Sequence, residues 1–146
     1  GVETDEMQKV ELPILLEGEP DLVTIFAGGN DIVNGVSDID FQNDLSEILS
    51  KIKNETSAYI VIATIPDLTK LPRFISEPDP DVTLDRIALF NQIIRALATD
   101  NGAVVVELSE VSLSDVLVSQ DGFHPSDEGH ATIAEKFLEV IKPMFC

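Results

Sequence analysis

The chain predicts an α/β domain: a parallel sheet with helices on its faces. Three observations carry that expectation. Residues 22–27, 58–65 and 103–106 are short apolar runs rich in β-branched side chains, the composition of strands inside a sheet core. Between and after these runs, apolar residues recur three and four apart, as they do on a helix with one face in a core. The two kinds of segment alternate along the chain instead of clustering by type, which is the order of βα units.

Taken in order, Thr4 is placed to cap a first helix whose opening turn carries Asp5 and Glu6, at the positive end of the helix dipole. Met7, Val10, Ile14 and Leu15 supply its apolar stripe, with Pro13 kinking or dividing it and Gly18 closing it. The run Leu22 to Ala27 is nearly unbroken and predicts a strand covered on both faces, hence central in the sheet. A polar loop at 33–40 precedes a second helix, with Leu45, Ile48, Leu49 and Ile52 inward and Asp44, Glu47, Lys51 and Lys53 outward. Ala58 to Ile65 is the second strand. Pro66, Pro72, Pro78 and Pro80 mark 66–81 as a long surface loop beside the site, shaping what enters it. Asp85 to Ala98 repeats the helical spacing through Ile87, Phe90, Ile93, Ile94 and Leu97, and Asn101-Gly102 ends it. Ala103 to Val106 is a third buried strand, and Val111 to Val118 suggests a short helix. Ser126 or Asp127 opens a last amphipathic helix through Ile133, Phe137, Leu138 and Ile141, stopped at Pro143. Three strands leave little to pair with the far edge of 22–27, and an apolar edge left open invites aggregation. The expectation is a single partial domain over 1–146, lacking one or two N-terminal strands.

Bulk properties narrow the function. At 146 residues the chain has the length of one domain. Nine Lys and Arg against 27 Asp and Glu give a net charge of -18. That argues against nucleic acid or an anionic membrane as partner, since both need basic side chains to neutralise phosphate. The acid is scattered (Glu3, Asp5, Glu17, Asp38, Asp79), as on a solvated surface. Cys146 is the single cysteine, so no internal disulfide and no thiolate cluster can form. No apolar run approaches membrane-spanning length, and no signal peptide is visible, although the chain begins at Gly1 and not at Met. Secreted and cytoplasmic locations both stay open, as does the oligomeric state.

Two stretches carry chemistry. In Ala27-Gly28-Gly29-Asn30-Asp31, glycines at the carboxyl end of a strand let the backbone turn sharply or approach a ligand, and they deliver a polar amide where ligands bind in open parallel sheets. An ordinary strand turn with a helix cap fits the same residues. In Asp121-Gly122-Phe123-His124-Pro125, a carboxylate three residues before a histidine can accept the imidazole Nδ1–H and leave the other nitrogen as a general base. Such a pair also arises incidentally on surfaces, but this one follows the third strand and leads into the C-terminal helix.

Together, Gly28-Gly29-Asn30-Asp31 and Asp121-x-x-His124-Pro125 resemble the motifs of the SGNH, or GDSL-type, hydrolase superfamily of esterases and lipases. Pro20-Asp21-Leu22-Val23-Thr24-Ile25 ahead of the first motif, Ala63-Thr64-Ile65-Pro66-Asp67 after the next strand, and Gly129-His130 in the last helix are similar too, so the likeness covers nearly the whole chain. The resemblance implies a flavodoxin-like three-layer α/β/α fold, a small-molecule ester substrate, and neither cofactor nor metal. It implies that Asn30 donates its side-chain amide to the oxyanion, that Gly28 aims it, with Gly29 in the same loop, and that Asp31 caps and orients that loop. His124 would be the general base and Asp121 its orienting partner. The family's second oxyanion donor is a backbone N–H on an upstream glycine, and Gly1 sits where that glycine is sought.

The departure from the family lies in the nucleophile, a serine in an N-terminal Gly-Asp-Ser motif that these 146 residues do not contain. Ser37, Ser109 and Ser126 come nearest to the motif loops, but none has a strand-then-glycine setting, and Gly-x-Ser-x-Gly is absent as well. Two functions follow as expectations: a fragment of a serine ester hydrolase without its nucleophile, or a non-catalytic binding module that keeps the cleft. A receiver-like or nucleotide-binding domain ranks last for want of a phosphate loop. Asp79, Asp81 and Asp85 fail as a calcium loop, with Leu84 and Phe90 where glycine and glutamate are needed. His124 and His130 match no zinc spacing. His130, among Ala131, Ile133 and Ala134, is expected to be packed; Phe74 and Phe123 are expected in the core, with an acyl pocket as the alternative.

Overall fold

The computed structural model describes residues 3–112 and 118–145. Its elements in order are α1 (Thr4–Glu6), a π-helical turn (Met7–Glu11), α2 (Leu12–Glu17), β1 (Leu22–Ile25), α3 (Gly29–Val33), α4 (Asp38–Glu55), β2 (Tyr59–Ala63), α5 (Pro72–Ser76), α6 (Leu84–Asp100), β3 (Val104–Val106) and α7 (Asp127–Phe145). The sheet runs β1-β2-β3 with both pairings parallel, Leu22 opposite Tyr59 and Val61 opposite Val104. The α/β class and the parallel sheet are therefore as the sequence predicts.

Side-chain alternation divides the core between the two faces of the sheet. Val23, Ile25, Ile60 and Ile62 point to one face and pack with Leu45, Leu49 and Ile52 of α4 and Ile87, Phe90 and Ile94 of α6. Phe41 and Phe90 stack at 4.4 Å between those two helices. Val61, Ala63 and Val106 point the other way and meet Phe137 of α7. This is a three-layer arrangement. Both long central helices are capped: Ser37 Oγ accepts from Asp40 N–H and Thr83 Oγ1 from Arg86 N–H.

Several expectations change. Among the described residues β1 stands at one edge of the sheet, its far side unpaired as expected of a partial domain; Val23 and Ile25 are buried while Thr24 and Phe26 are exposed, so the strand is not covered on both faces here. The strand covered on both faces is β2, whose last four residues are all buried. In the run 22–27, apolar character at Phe26 serves a cleft and not the core. Among the described residues β3 stands at the other edge, with Val104 at 38% exposure.

The first helix keeps its place but not its predicted face. Thr4 lies inside its first turn instead of capping it. Val10 and Ile14 are exposed, while Thr4 and Leu12 are buried and Met7, Leu15 and Leu16 half-buried. The cause is the π turn directly ahead of Pro13. Proline lacks an N–H, and its ring crowds the carbonyl four residues back; a wider turn relieves that clash and lengthens the spacing of inward residues from four to five, Met7 to Leu12.

The proline-rich 66–81 segment is not all loop. Leu68–Lys70 forms a 3₁₀ turn and Pro72–Ser76 a short helix, which bury Leu68, Leu71 and Phe74. Pro143 stands inside α7 and does not end it, a position near enough the terminus to cost one hydrogen bond without breaking the helix body. The expected helix at 111–118 falls mostly outside the described residues, and Gly1 is outside them too.

Candidate active site

Three loops leave the carboxyl ends of the three strands and converge on one open cleft of about 590 Å³. Phe26, Ala27, Gly28, Gly29 and Asn30 come from the loop after β1, and Ile65, Pro66, Leu68 and Leu71 from the segment after β2. Leu108 and Val111 follow β3, and Val118, Phe123, His124 and Pro125 belong to the turn that leads into α7. Asn30 and His124 thus line the same cleft, at the end of the sheet where open parallel sheets bind ligands.

The loop carrying Asn30 is shaped by Gly28. Its φ is 103°, a left-handed conformation, and a Cβ there would stand 2.7 Å from Ile65 Cδ1 and 3.2 Å from the Phe41 ring. Only glycine fits. Gly29 meets no such wall, since nothing lies within 4 Å of a Cβ built on it. Asp31 turns away from the cleft and is 1% exposed. Its carboxylate accepts from Thr4 Oγ1 at 2.7 Å and from Thr4 N–H at 3.1 and 3.3 Å, so it caps the first helix from across the fold. Burial raises its pKa above the ordinary value, and the Thr4 bonds pull it part of the way back.

The loop carrying His124 is a tight turn. Gly122 N–H donates to Ser119 O, Ser119 N–H donates to His124 O, and Val118 pairs antiparallel with Pro125. Asp121 sits at its centre. One carboxylate oxygen lies 2.5 Å from His124 Nδ1; the other accepts from the N–H groups of Phe123 and His124 and from Ser119 Oγ, each at 2.9 Å. These bonds, that of His124 first, hold the Asp121 carboxyl well below the usual carboxylate range. With Nδ1 so occupied, Nε2 is the nitrogen left for proton transfer. The turn is tethered to α5 by Arg73 N–H donating to Gly122 O at 3.1 Å, and Phe123 packs edge-on against Phe74. A Cβ on Gly122, whose φ is 68°, would come within 2.8 Å of Arg73 N.

His130 is exposed and lines the cleft from α7, together with Ile133 and Lys136; it is not packed as the sequence suggested. Phe74 is core, while Phe123 is half-buried at the cleft wall. Ser37 caps α4, Ser126 Oγ accepts from Gly129 N–H at the start of α7, and Ser109 bonds Glu107 and Arg95. Among the described residues, no three His, Cys, Asp or Glu side chains are grouped to hold a metal ion, and no helix is long and apolar enough to cross a membrane.

Two residues that bear on the site went unread in the sequence. Arg86 donates to three backbone carbonyls, Asp81, Ile32 and Val36, and so ties the segment after Asn30 to the proline-rich segment. Asn91, 4% exposed, bonds both the N–H and the C=O of Ile65. The available signal for Asn91 was a polar side chain at an inward position between Phe90 and Ile94.

Comparisons with known proteins bear on the family and the fold. The family model described as the GDSL-like lipase/acylhydrolase family matches residues 2–132. Among solved structures, the lipase/acylhydrolase from Enterococcus faecalis is similar with a TM-score of 0.79 at 21% identity, over 98% of this chain and 72% of that one. TesA gives 0.74 at 26% identity, over 99% and 75%. The acetyl xylan esterase AlAXEase gives 0.77 at 18% identity, over 96% and 76%. The chain thus spans roughly three quarters of the length of these proteins. No curated protein matches it.

Proposed function

We propose, from the premise that this chain belongs to the GDSL-like lipase/acylhydrolase family, that it carries the acid–base pair and the oxyanion donor of a serine-type carboxylic ester hydrolase. The domain is ester hydrolase-like by family; the assignment of roles is the proposal. His124 Nε2 is the general base that takes the proton of an attacking hydroxyl and later returns it to the leaving alcohol. Asp121 fixes the tautomer by accepting from Nδ1 and stabilises the imidazolium as it forms. The Asn30 side-chain amide donates to the oxyanion, Gly28 sets the turn that aims it, and Asp31 anchors the loop from behind. Gly29 completes the cleft-facing backbone. Gly1 is proposed as the second oxyanion donor on family likeness alone.

The observation that carries this reading is the shared cleft: the one amide and the one Asp-paired imidazole singled out by motif open into the same space. The apolar walls formed by Phe26, Leu108, Val111, Val118 and Ile133 suit the acyl part of an ester.

No Gly-Asp-Ser stands in the 146 residues, and the serines nearest the motifs are engaged elsewhere. The chain as given therefore turns over no ester by the triad route. That same absence favours a second reading, a binding module that keeps the cleft without the chemistry. Joining a segment that bears a Gly-Asp-Ser strand ahead of Gly1 separates the two. The hydrolase reading expects hydrolysis of p-nitrophenyl acetate that falls roughly 10²–10³-fold in Asn30→Ala and by about 10³-fold or more in His124→Ala. No hydrolysis, or hydrolysis that survives His124→Ala, overturns it and leaves the binding module.

A further inference from the structure

We infer that Asn91 is a positioning residue for the oxyanion loop, acting on Asn30 through Ile65 and Gly28. The inference rests on the reading of Asn30 as the oxyanion donor. Four observations connect the chain of contacts.

Ile65 lies two residues past the end of β2. Thr64 N–H still bonds Val106 O, but the backbone of Ile65 is beyond the ladder, and Pro66 after it has no N–H to offer. Asn91 supplies what a neighbouring strand would. Its Oδ1 accepts from Ile65 N–H at 2.7 Å, and its Nδ2 donates to Ile65 O at 2.9 Å, both in the buried interior. A two-point clamp of this kind fixes the orientation of the residue it holds, as a single bond cannot. It also leaves no buried polar group unpaired, and among the described residues there is no buried side-chain N or O without a partner.

The clamped residue is the one under the Asn30 loop. Ile65 Cδ1 stands 2.7 Å from where a Cβ of Gly28 would be, so its methyl fills the space that the missing Gly28 side chain leaves. The bonds from Asn91 fix the backbone from which this methyl projects, and the left-handed turn at Gly28 packs against it. Release of Ile65 frees the turn, and the Asn30 amide goes with it. Asn91 is on α6, remote in sequence from the motifs, and does not line the main cleft itself.

The test uses the ¹⁵N-labelled chain and needs no turnover, so it is independent of the hydrolysis assay. In Asn91→Leu, which keeps the branched shape and removes both bonds, the Ile65 amide is expected to exchange roughly tenfold faster. The side-chain amide resonances of Asn30 are expected to move or broaden, while those of Asn43 and Asn54 on the exposed side of α4 stay put. Asn91→Asp gives the decisive arm. A protonated carboxyl can both accept from Ile65 N–H and donate to Ile65 O, whereas the carboxylate can only accept. Asp31 beside Asn30, the Asp121–His124 pair across the cleft, and Asp67 and Arg95 next to Asn91 are present in the parent as well, so the Asn30 resonances of Asn91→Asp are read as differences from the parent at each pH. Those differences should vanish as pH falls and grow as it rises, a reversal that general loosening of the fold does not produce. If Asn91→Leu does not fold, the titration of Asn91→Asp alone decides. Asn30 resonances that stay fixed while Ile65 exchange accelerates, or that follow no titration in Asn91→Asp, overturn the proposal. Should the coupling hold and the Asn30→Ala assay show no effect on hydrolysis, the donor role fails and the mechanical link stands.

Discussion

Two adjacent glycines in the Asn30 loop look alike in sequence and differ in what they must do. Gly28 is left-handed and walled in by Ile65 and Phe41, whereas Gly29 faces open space. Gly28→Ala should destabilise by roughly 2–4 kcal/mol, combining the left-handed penalty with overpacking. Gly29→Ala should stay within about 0.5 kcal/mol of the parent; urea unfolding of both variants checks the contrast. Asp31 has its own signature in pH. Burial raises its pKa above the ordinary 3.8, so the native state holds this proton where the unfolded chain has released it. Its contribution to stability is then fully present below that value and lost as pH rises through the native pKa. Asp31→Asn removes the titration, and its stability relative to the parent should improve as pH is raised from about 3.5 to about 6. A relative stability that worsens over that window would mean the three Thr4 bonds outweigh desolvation. Of the residues that shape the site, Asn30, Asp121 and His124 were legible because motif and chemistry coincide in them. Asn91 and Arg86 were not, since each acts on backbone groups far away in sequence, and no spacing rule encodes that.

Among the elements, α4 and α6 were legible nearly to the residue. Both are uninterrupted helices long enough for a 3.6-residue period to select one face, and every inward position read from the sequence is buried. The first helix shows where that inference fails. Pro13 is expected to kink or divide the helix, and its consequence is a wider turn that rotates everything before it relative to everything after. The burial pattern makes this testable. Leu12→Ala should cost about 2–4 kcal/mol, while Ile14→Ala should be near neutral, within about 0.5 kcal/mol. A strictly α-helical register would reverse their order. In β1 the apolar run is continuous because one side meets the core and Phe26 meets the cleft, and composition does not distinguish a core from a binding wall.

For the molecule as a whole, the net charge of -18 sets the terms of its stability in solution. Among the described residues few acids are paired with a base; Arg95 with Glu107 is the best-formed bridge, closed through two nitrogens. Self-repulsion among the remainder is screened by salt. The melting temperature should therefore rise between about 0.02 and about 0.3 M NaCl, and a fall would show that local pairs outweigh the field. The turn that bears His124 adds a property of a different kind. Among the described residues it is held to the body by a main-chain bond from α5 and by the packing of Phe123 against Phe74 and the Arg73 guanidinium, while Asn30 stands in α3, close behind β1. The two halves of the cleft thus belong to units of unequal tenacity. Warming unhooks the imidazole before the sheet gives way, so a protease able to nick the 119–125 bend marks the loss of a competent cleft at temperatures where circular dichroism still records an intact protein.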